Sequence, residues 1–122
     1  MITTFSKETV ALKAKLFRGF ADSSRLAILE LLREGEKTVS ELVSATGLTQ
    51  SNVSNHLACL RECGLVSARP EGRFTLYSLA GETVRDLLDQ AERILLAAGC
   101  GVQECGNYLP NEETTSSGQR GQ

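Results

Sequence analysis

The chain lacks any hydrophobic run long enough to cross a membrane. Its longest apolar run is Ile94–Ala98, whereas a membrane-spanning helix needs about 20 apolar residues. The opening residues, MITTFSKETV, also lack the basic segment and apolar core of a secretory signal. We therefore expect a cytoplasmic protein without a membrane partner. In that reducing compartment its four cysteines favour redox or metal chemistry over structural disulfides.

The motifs of common enzyme classes are also missing. The sequence has no C-x-x-C pair, no glycine-rich phosphate loop and no regular alternation of strand and helix patterns. A thiol oxidoreductase or reductase is therefore disfavoured, and we expect no enzymatic activity. At 122 residues the chain has the usual length of a single domain.

No strong excess of positive charge is present, since the net charge is −2. The distribution is nevertheless uneven. Residues 1–48 carry 7 basic and 6 acidic groups, residues 49–80 carry 3 and 2, and residues 81–122 carry 3 and 7. A slightly positive body with an acidic C-terminal part is compatible with a nucleic-acid partner, although it is weak support for one.

Helical patterns fill the first half of the chain. Apolar residues at three- and four-residue spacing predict a helix from Ser6 to Phe20, and a denser apolar segment capped by Asp22 or Ser23 predicts a central helix that ends near Gly35. Thr38 and Glu41 have the spacing of a capping box that opens a short helix, which stops at Gly47. Thr49 can cap a further helix running to Gly64. A short helix, a tight turn and a second helix predict a helix-turn-helix.

A β-hairpin follows this pair. The segments LVSAR and RFTLYSL alternate with a two-residue period and are separated by Pro70, Glu71 and Gly72, a turn sequence. A hairpin after a helix-turn-helix is a wing, and Arg69 and Arg73 flank its turn, where they could reach phosphate or the minor groove. We therefore predict a mainly α, winged helix-turn-helix fold with about five helices and a two-stranded wing.

The helix from Thr49 to Cys63 is predicted to read DNA. Val53, Leu57 and Leu60 share one face and should lie in the core. Polar residues that can bond base edges in the major groove crowd its first turns. These candidate DNA-binding residues are Gln50, Ser51, Asn52, Ser54, Asn55 and His56.

The last helical segment, Glu82 to Ala98, has a broad apolar stripe that needs a partner. Residues 107–122 are mostly polar and are expected to be a disordered tail. Residues 1–106 are then one DNA-binding and dimerisation domain that carries a C-terminal metal-ligand segment.

The run LTQSNVSNHLACLRECGLV followed by EGRFTLYSL resembles the ArsR/SmtB winged-helix repressors over about residues 6–100. The pair Cys59 and Cys63 within it is similar to the cadmium- and lead-sensing CmtR type, which also uses a thiolate near the C-terminus. The resemblance implies a homodimer joined by the first and last helices, and a repressor that binds operator DNA as the apo homodimer and dissociates when a thiophilic metal ion binds.

The spacing of Cys59 and Cys63 independently allows a metal site. Residues four apart on a helix have Cβ atoms about 5 to 6 Å apart, and two thiolates can share an ion at about 2.3 Å or slightly more. Soft thiolates select soft or borderline ions. Cys100 or Cys105 of the other subunit, or both, would complete a three- or four-sulfur site. A buried free cysteine that acts only as a small hydrophobe remains the alternative.

Other metal sites of related sensors are not expected. Leu42, Val43 and Ser44 stand where relatives carry a cysteine-rich motif, and the last helix offers Asp86, Asp89 and Glu92 without a histidine. These carboxylates are interpreted as a solvated face. His56 could be a spare ligand, but we favour a hydrogen bond to phosphate or backbone.

The sequence does not decide which inducer the protein binds. Cd²⁺ or Pb²⁺ is favoured by the resemblance, while arsenite, Hg²⁺ and Zn²⁺ also accept three or four thiolates. A thiol-oxidation-responsive repressor of the same fold is the main alternative, because reactive cysteines on a DNA-binding helix would respond to oxidants. A metal-buffering protein is a further alternative.

Overall fold

The structure of the chain is a computed structural model that describes residues 6–98. Its elements, in chain order, are α1 (Lys7–Ala21), α2 (Ser23–Leu32), α3 (Val39–Thr46), α4 (Gln50–Glu62), β1 (Val66–Glu71), β2 (Phe74–Leu79) and α5 (Glu82–Ala98). The two strands form one antiparallel sheet. The predicted mainly α fold with a two-stranded wing is confirmed. None of the helices in this range is long and apolar enough to cross a membrane.

The described residues form two compact units, one running to Asp86 and one beginning at Leu87. The first unit contains the helix-turn-helix and the wing. As the dense apolar pattern predicts, α2 is central and supplies three fully buried side chains. The core of this unit is Ile28, Leu29, Leu32, Leu42, Val53, Leu57, Leu60, Leu65, Val66 and Leu79.

The joint between α1 and α2 is closed by Arg25. The Asp22 carboxylate accepts from the Arg25 backbone amide at 3.0 Å and caps α2. The guanidinium of Arg25 reaches back and donates to the carbonyls of Gly19 and Arg18, each at 3.1 Å. Carbonyls at a helix C-terminus have no partner within the helix, and this side chain satisfies two of them.

The turn between α3 and α4 is built as the sequence predicts. Thr38 and Glu41 form a reciprocal capping box that starts α3. Gly47 ends the helix in the left-handed conformation, with φ 78°, which glycine adopts without steric cost. The Thr46 hydroxyl donates to the Leu42 carbonyl at 2.7 Å and accepts from the Leu48 amide at 3.2 Å. These bonds fix the angle at which the chain enters α4.

The wing differs from the predicted hairpin at its tip. Pro70 and Glu71 belong to β1, and the turn consists only of Gly72 and Arg73. Proline is tolerated because Pro70 lies opposite Thr75, two pairs from the Ala68–Tyr77 pair. The backbone amide and carbonyl of Tyr77 bond to Lys37 and not to β1, so Ala68 and Tyr77 form a pair without hydrogen bonds between the strands. Bonded and non-bonded pairs alternate along an antiparallel ladder, so Pro70 and Thr75 also form a non-bonded pair. The amide hydrogen that proline lacks is therefore not needed there.

Apolar side chains are exposed on two helices. On α1 of the first unit, Val10, Leu12 and Phe17 are each more than half exposed. In the second unit, the end of α5 exposes Ile94, Leu95 and Leu96. A small protein rarely leaves this much aliphatic and aromatic surface in water unless it has a binding partner. Both helices were predicted to carry such stripes.

Candidate nucleic-acid interface and metal-binding thiols

The first turns of α4 present a polar surface. The Thr49 hydroxyl accepts from the Asn52 amide at 3.1 Å and caps the helix. Side chains with amide, hydroxyl or imidazole groups then follow, and all are exposed except His56, which is half-buried: Gln50, Ser51, Asn52, Ser54, Asn55 and His56. Such groups can donate to and accept from base edges in a major groove.

The opposite face of α4 is fully buried. Val53, Leu57 and Leu60 are each at most 1% exposed, as the helical spacing predicts. Because these three side chains pack in the core, the helix is fixed in rotation and its polar face is held outward. The predicted DNA-binding residues of α4, called the reading residues below, therefore all lie in the first two turns of this helix, and all but the half-buried His56 are exposed. We call α4 the reading helix.

The tip of the wing carries Arg73 and Phe74. Arg73 lies in the two-residue turn and is exposed, and within residues 6–98 no carboxylate pairs with it. The Phe74 side chain is 62% exposed. The sequence analysis did not predict a role for Phe74. The alternating pattern of a strand does not show which of its faces stays exposed at the end of a hairpin. An exposed ring beside an arginine could pack on a sugar or enter a minor groove.

Arg69, the other predicted wing arginine, is engaged within the protein. Its Nε and Nη2 atoms donate to the two carboxylate oxygens of Glu36, at 2.7 and 2.8 Å, and its Nη1 donates to Glu71 at 2.6 Å. Hydrogen bonding from Arg69 lowers the pKa of Glu36, and the bonds to Glu36 and Glu71 raise the pKa of Arg69. Sequence analysis missed both carboxylates. Glu36 is 33 residues away along the chain, and Glu71 was assigned to the turn, although it lies on β1 two residues from Arg69.

Cys59 and Cys63 lie at the end of α4. Cys59 is partly exposed and Cys63 is exposed, and both are free thiols. The α-helix continues to Glu62, with Cys63 as its C-cap in right-handed helical conformation. Both side chains therefore leave the same flank one turn apart, as the spacing predicts. Thiols in this arrangement are accessible to an ion and are donors that suit soft metals.

Cys63 borders a depression between α4 and α1. Its volume is about 390 Å³, and it is lined by Leu12, Lys15, Leu16, Glu62 and Cys63. The depression gives the thiol an open approach and a partly apolar wall.

No cluster of three or more metal-ligating side chains is found in the part of the chain that the structure describes. His56 therefore does not join Cys59 and Cys63, and the carboxylates Asp86, Asp89 and Glu92 form no such cluster. Cys100 and Cys105, the expected completing ligands, lie outside the described residues, as does the predicted tail at 107–122.

Known proteins similar to this chain are bacterial regulators. Residues 22–68 match the family described as bacterial regulatory protein, arsR family. The chain is 40% identical over 99 residues to the probable mercury resistance operon repressor of Streptomyces lividans, covering 81% of this chain and 78% of that protein. It is 42% identical over 97 residues to the transcriptional regulator CmtR of Mycobacterium bovis, covering 80% of each.

Solved structures agree with the fold. The homodimeric winged helix-turn-helix DNA-binding domain of a possible ArsR-family regulator from M. bovis superposes with a TM-score of 0.69 at 30% identity, covering 81% of this chain and 91% of that one. The cadmium metal-sensor CMTR of Mycobacterium tuberculosis gives a TM-score of 0.55 at 48% identity, covering 62% and 80%.

These matches extend over most of the chain and over most of the relatives' own length. Matches of this length include both the helix-turn-helix and the wing. The enzyme hypothesis is excluded, because the relatives and the fold are those of transcriptional regulators. The chain belongs to the arsR family of bacterial regulatory proteins and is a DNA-binding transcriptional regulator.

Proposed function

We propose that the protein is a metal-responsive repressor in the cytoplasm, which binds operator DNA as an apo homodimer and releases it when a thiophilic ion binds. Cd²⁺ or Pb²⁺ is the proposed inducer. The cadmium metal-sensor among the similar structures supports this choice, whereas the mercury resistance repressor among the relatives keeps Hg²⁺ in the comparison.

DNA is bound through α4 and the tip of the wing. The major groove receives the polar side chains at the start of α4, among them Gln50, Ser51 and Ser54. Their amide and hydroxyl groups select bases by forming hydrogen bonds with donors and acceptors on the base edges. Arg73 contacts backbone phosphate, which positions the protein without selecting sequence. The exposure of these groups and the buried opposite face of α4 support this assignment.

The homodimer covers the exposed apolar faces. On α1 these are Val10, Leu12 and Phe17, and on α5 they are Ile94, Leu95 and Leu96. The homodimeric neighbour supports the same assembly. A dimer presents two copies of α4 to successive major grooves, which doubles the contacts with a two-fold symmetric operator.

The donor set fits a soft cation in part. Cys59 and Cys63 supply two accessible thiolates, and Cys100 or Cys105 of the partner, or both, would supply the remaining sulfur ligands. A cation bound between these sulfur atoms carries positive charge and therefore favours the deprotonated, thiolate form of the cysteines.

The observation that carries the proposal is that the thiols and the reading residues share one helix. Gln50 and Cys63 stand at the two ends of α4, so an ion that ties the thiols to another segment acts directly on the orientation of the reading surface. The ion can shift DNA binding only by its difference in affinity for the two states. Typical couplings of about 1 to 3 kcal/mol correspond to roughly 5- to 150-fold in DNA affinity.

The test uses reduced apo-protein and a duplex selected from a random pool by the wild-type protein. Cd²⁺, Pb²⁺, Hg²⁺, arsenite and Zn²⁺ are each titrated while ultraviolet sulfur-to-metal absorption and fluorescence anisotropy of the DNA are followed together. We expect Cd²⁺ or Pb²⁺ to produce both signals at the same stoichiometry. DNA that stays bound at saturating levels of all five ions would overturn metal regulation.

A thiol-oxidation switch is the second candidate. The exposure of Cys63 and the partial exposure of Cys59 favour it, because accessible thiols are the ones that oxidise. Release by peroxide with no release by any of the five ions would select this alternative. Release by metal in the presence of a reductant would reject it.

A further inference from the structure

A side-chain ion-pair cluster centred on Arg69 lies on the wing rather than at the reading helix. Arg69 binds both oxygens of Glu36 and one oxygen of Glu71. Glu36 belongs to the loop between α2 and α3, so the bidentate pair joins β1 to the body of the protein. Bidentate arginine–carboxylate pairs have a fixed geometry that a single charge contact lacks.

A second connection joins the same loop to the other strand. The Lys37 amide donates to the Tyr77 carbonyl at 3.0 Å, and the Tyr77 amide donates to the Lys37 carbonyl at 2.8 Å. Neighbouring residues of one loop, Glu36 and Lys37, therefore hold β1 through a side chain and β2 through the backbone. The hairpin cannot swing away from the helix-turn-helix unless both connections break.

From this geometry we infer that Arg69 is a positioning residue, which sets the angle of the wing through Glu36, and that Arg73 is the arginine through which the wing meets DNA. The inference rests on the proposed DNA-binding mode. The two arginines therefore have different roles, positioning for Arg69 and DNA contact for Arg73, although the sequence analysis predicted the same role for both because they flank one turn.

The charges around Arg69 support this division. Its guanidinium faces Glu36 and Glu71, and the adjacent Lys37 ammonium lies 3.5 Å from Glu34. Two carboxylates on one guanidinium leave a net negative group, which a phosphate would repel. Arg73 has no carboxylate partner among the described residues, so its charge is available for a phosphate oxygen.

The alternative is that Glu36 holds Arg69 only until DNA displaces it. The two roles predict opposite signs for the same substitution. If Arg69 positions the wing, Glu36→Gln loosens the hairpin and weakens DNA binding. If Arg69 contacts phosphate, Glu36→Gln frees it and removes a repelling carboxylate, so that DNA binding strengthens.

The experiment compares the full-length wild type with Glu36→Gln, Arg69→Ala, Arg69→Lys and Arg73→Ala. Glu34→Gln is the matched control, because it removes the same charge from the same loop without touching Arg69. Affinity for the selected duplex is measured by anisotropy over a series of salt concentrations. Amide hydrogen exchange at Lys37 and Tyr77 is measured on the free protein.

We expect Glu36→Gln and Arg69→Ala to weaken DNA binding by about two- to fivefold for each wing, a range that exposed ion pairs supply. Both should leave the salt dependence unchanged, relative to Glu34→Gln, and both should speed exchange at Lys37 and Tyr77. Arg69→Lys should fail to restore the wild type, because an ammonium cannot bind two oxygens in the same fork. Arg73→Ala should instead reduce the salt slope by about 0.9 for each lost phosphate contact and leave exchange unchanged.

Tighter DNA binding by Glu36→Gln, or a reduced salt slope for Arg69→Ala that Arg69→Lys restores, would overturn the inference. Unchanged exchange in both Glu36→Gln and Arg69→Ala would also overturn it. The exchange measurement separates this failure from that of the proposed function. A wild type that selects no duplex refutes the DNA-binding mode, while exchange in the free protein still decides whether Arg69 holds the wing.

Discussion

The backbone amide of Cys63 donates to the carbonyl of Cys59 at 3.0 Å. The last turn of α4 is therefore intact up to its C-cap, and the two thiols keep the one-turn spacing that a shared ion needs. Cys63 is at the same time the residue where the helix ends, so an ion bound there acts on the junction between the reading helix and β1.

Replacing either helix cysteine should separate DNA binding from its regulation. Cys59→Ser and Cys63→Ser should bind the selected duplex within about twofold of the wild type, because no reading residue is changed, and should lose the roughly 5- to 150-fold release by metal. Anisotropy titrations with Cd²⁺ or Pb²⁺ measure both quantities. Ala58→Ser, on an exposed position of the same helix, is the control. Release by Cys59→Ser at the wild-type concentration of ion would contradict the site.

Residues at the start of α4 should control sequence selection. Gln50→Ala and Ser54→Ala should each cost about 1 to 3 kcal/mol in discrimination between the selected duplex and a random one. Affinity for random DNA should hardly change, since neither residue carries charge. Competition assays with both duplexes measure the ratio. Equal losses on the two duplexes would place these side chains on the backbone rather than on bases.

The exposed face of α1 should be required for dimerisation. Phe17→Glu introduces a charge where a half-exposed ring is proposed to be buried by the partner, and we expect the dissociation constant of the dimer to rise by at least about tenfold. Sedimentation velocity at micromolar concentration measures it. Ala11→Glu, which introduces the same charge at an exposed position on another side of α1, is the control. A wild type that sediments as a monomer would refute the dimer.

The capping box of α3 should contribute measurably to stability. The Thr38 hydroxyl accepts from the Glu41 amide at 3.2 Å, and the Glu41 carboxylate accepts from the Thr38 amide at 2.8 Å. Thr38→Ala should lower the free energy of unfolding by about 1 kcal/mol, as measured by urea denaturation. Ser40→Ala, one position inside the helix, should change it by no more than a few tenths of a kcal/mol. Equal effects would show that the cap is not what stabilises this helix start.

The Glu36 carboxyl should titrate below its ordinary pKa of 4.5, because hydrogen bonding from Arg69 favours the charged form. A pKa that is depressed in the folded protein contributes stability above the ordinary value and loses it as the pH falls through the lowered one. The stability difference between wild type and Glu36→Gln should therefore shrink in acid. NMR titration of the Glu36 carboxyl measures the pKa, which should return toward 4.5 in Arg69→Ala. An unchanged pKa in that variant would rule out Arg69 as the cause.

Local signals predicted most of the fold. Caps at Asp22, Thr38 and Thr49 and the spacing of Val53, Leu57 and Leu60 depend on neighbours within one or two turns, so they can be read from the sequence alone. The hairpin was correctly placed, but its turn was predicted at Pro70, Glu71 and Gly72, whereas it consists of Gly72 and Arg73. Pro70 and Glu71 have turn-forming composition, and only the register of the ladder shows that the proline needs no hydrogen-bond partner between the strands.

The placement of the candidate site residues was predictable to a similar degree. The exposed start of α4 and the paired thiols follow from helical spacing. The surroundings of Arg69 do not, because its partner Glu36 is distant in sequence and is brought near only when the wing folds against the loop before α3. Their positions on either side of the predicted turn made Arg69 and Arg73 look equivalent, and the tertiary structure distinguishes them.

The Arg25 joint has a consequence for how motion travels through the protein. Its guanidinium bonds to two carbonyls at the end of α1, while its own amide is held by the Asp22 cap. Asp22, the single residue between α1 and α2, therefore does not act as a free hinge. A rotation of α1 has to carry α2 with it or break these bonds, and α2 supplies the centre of the core. Any reorientation of α1 would therefore also displace α2 and the core side chains on which α4 packs.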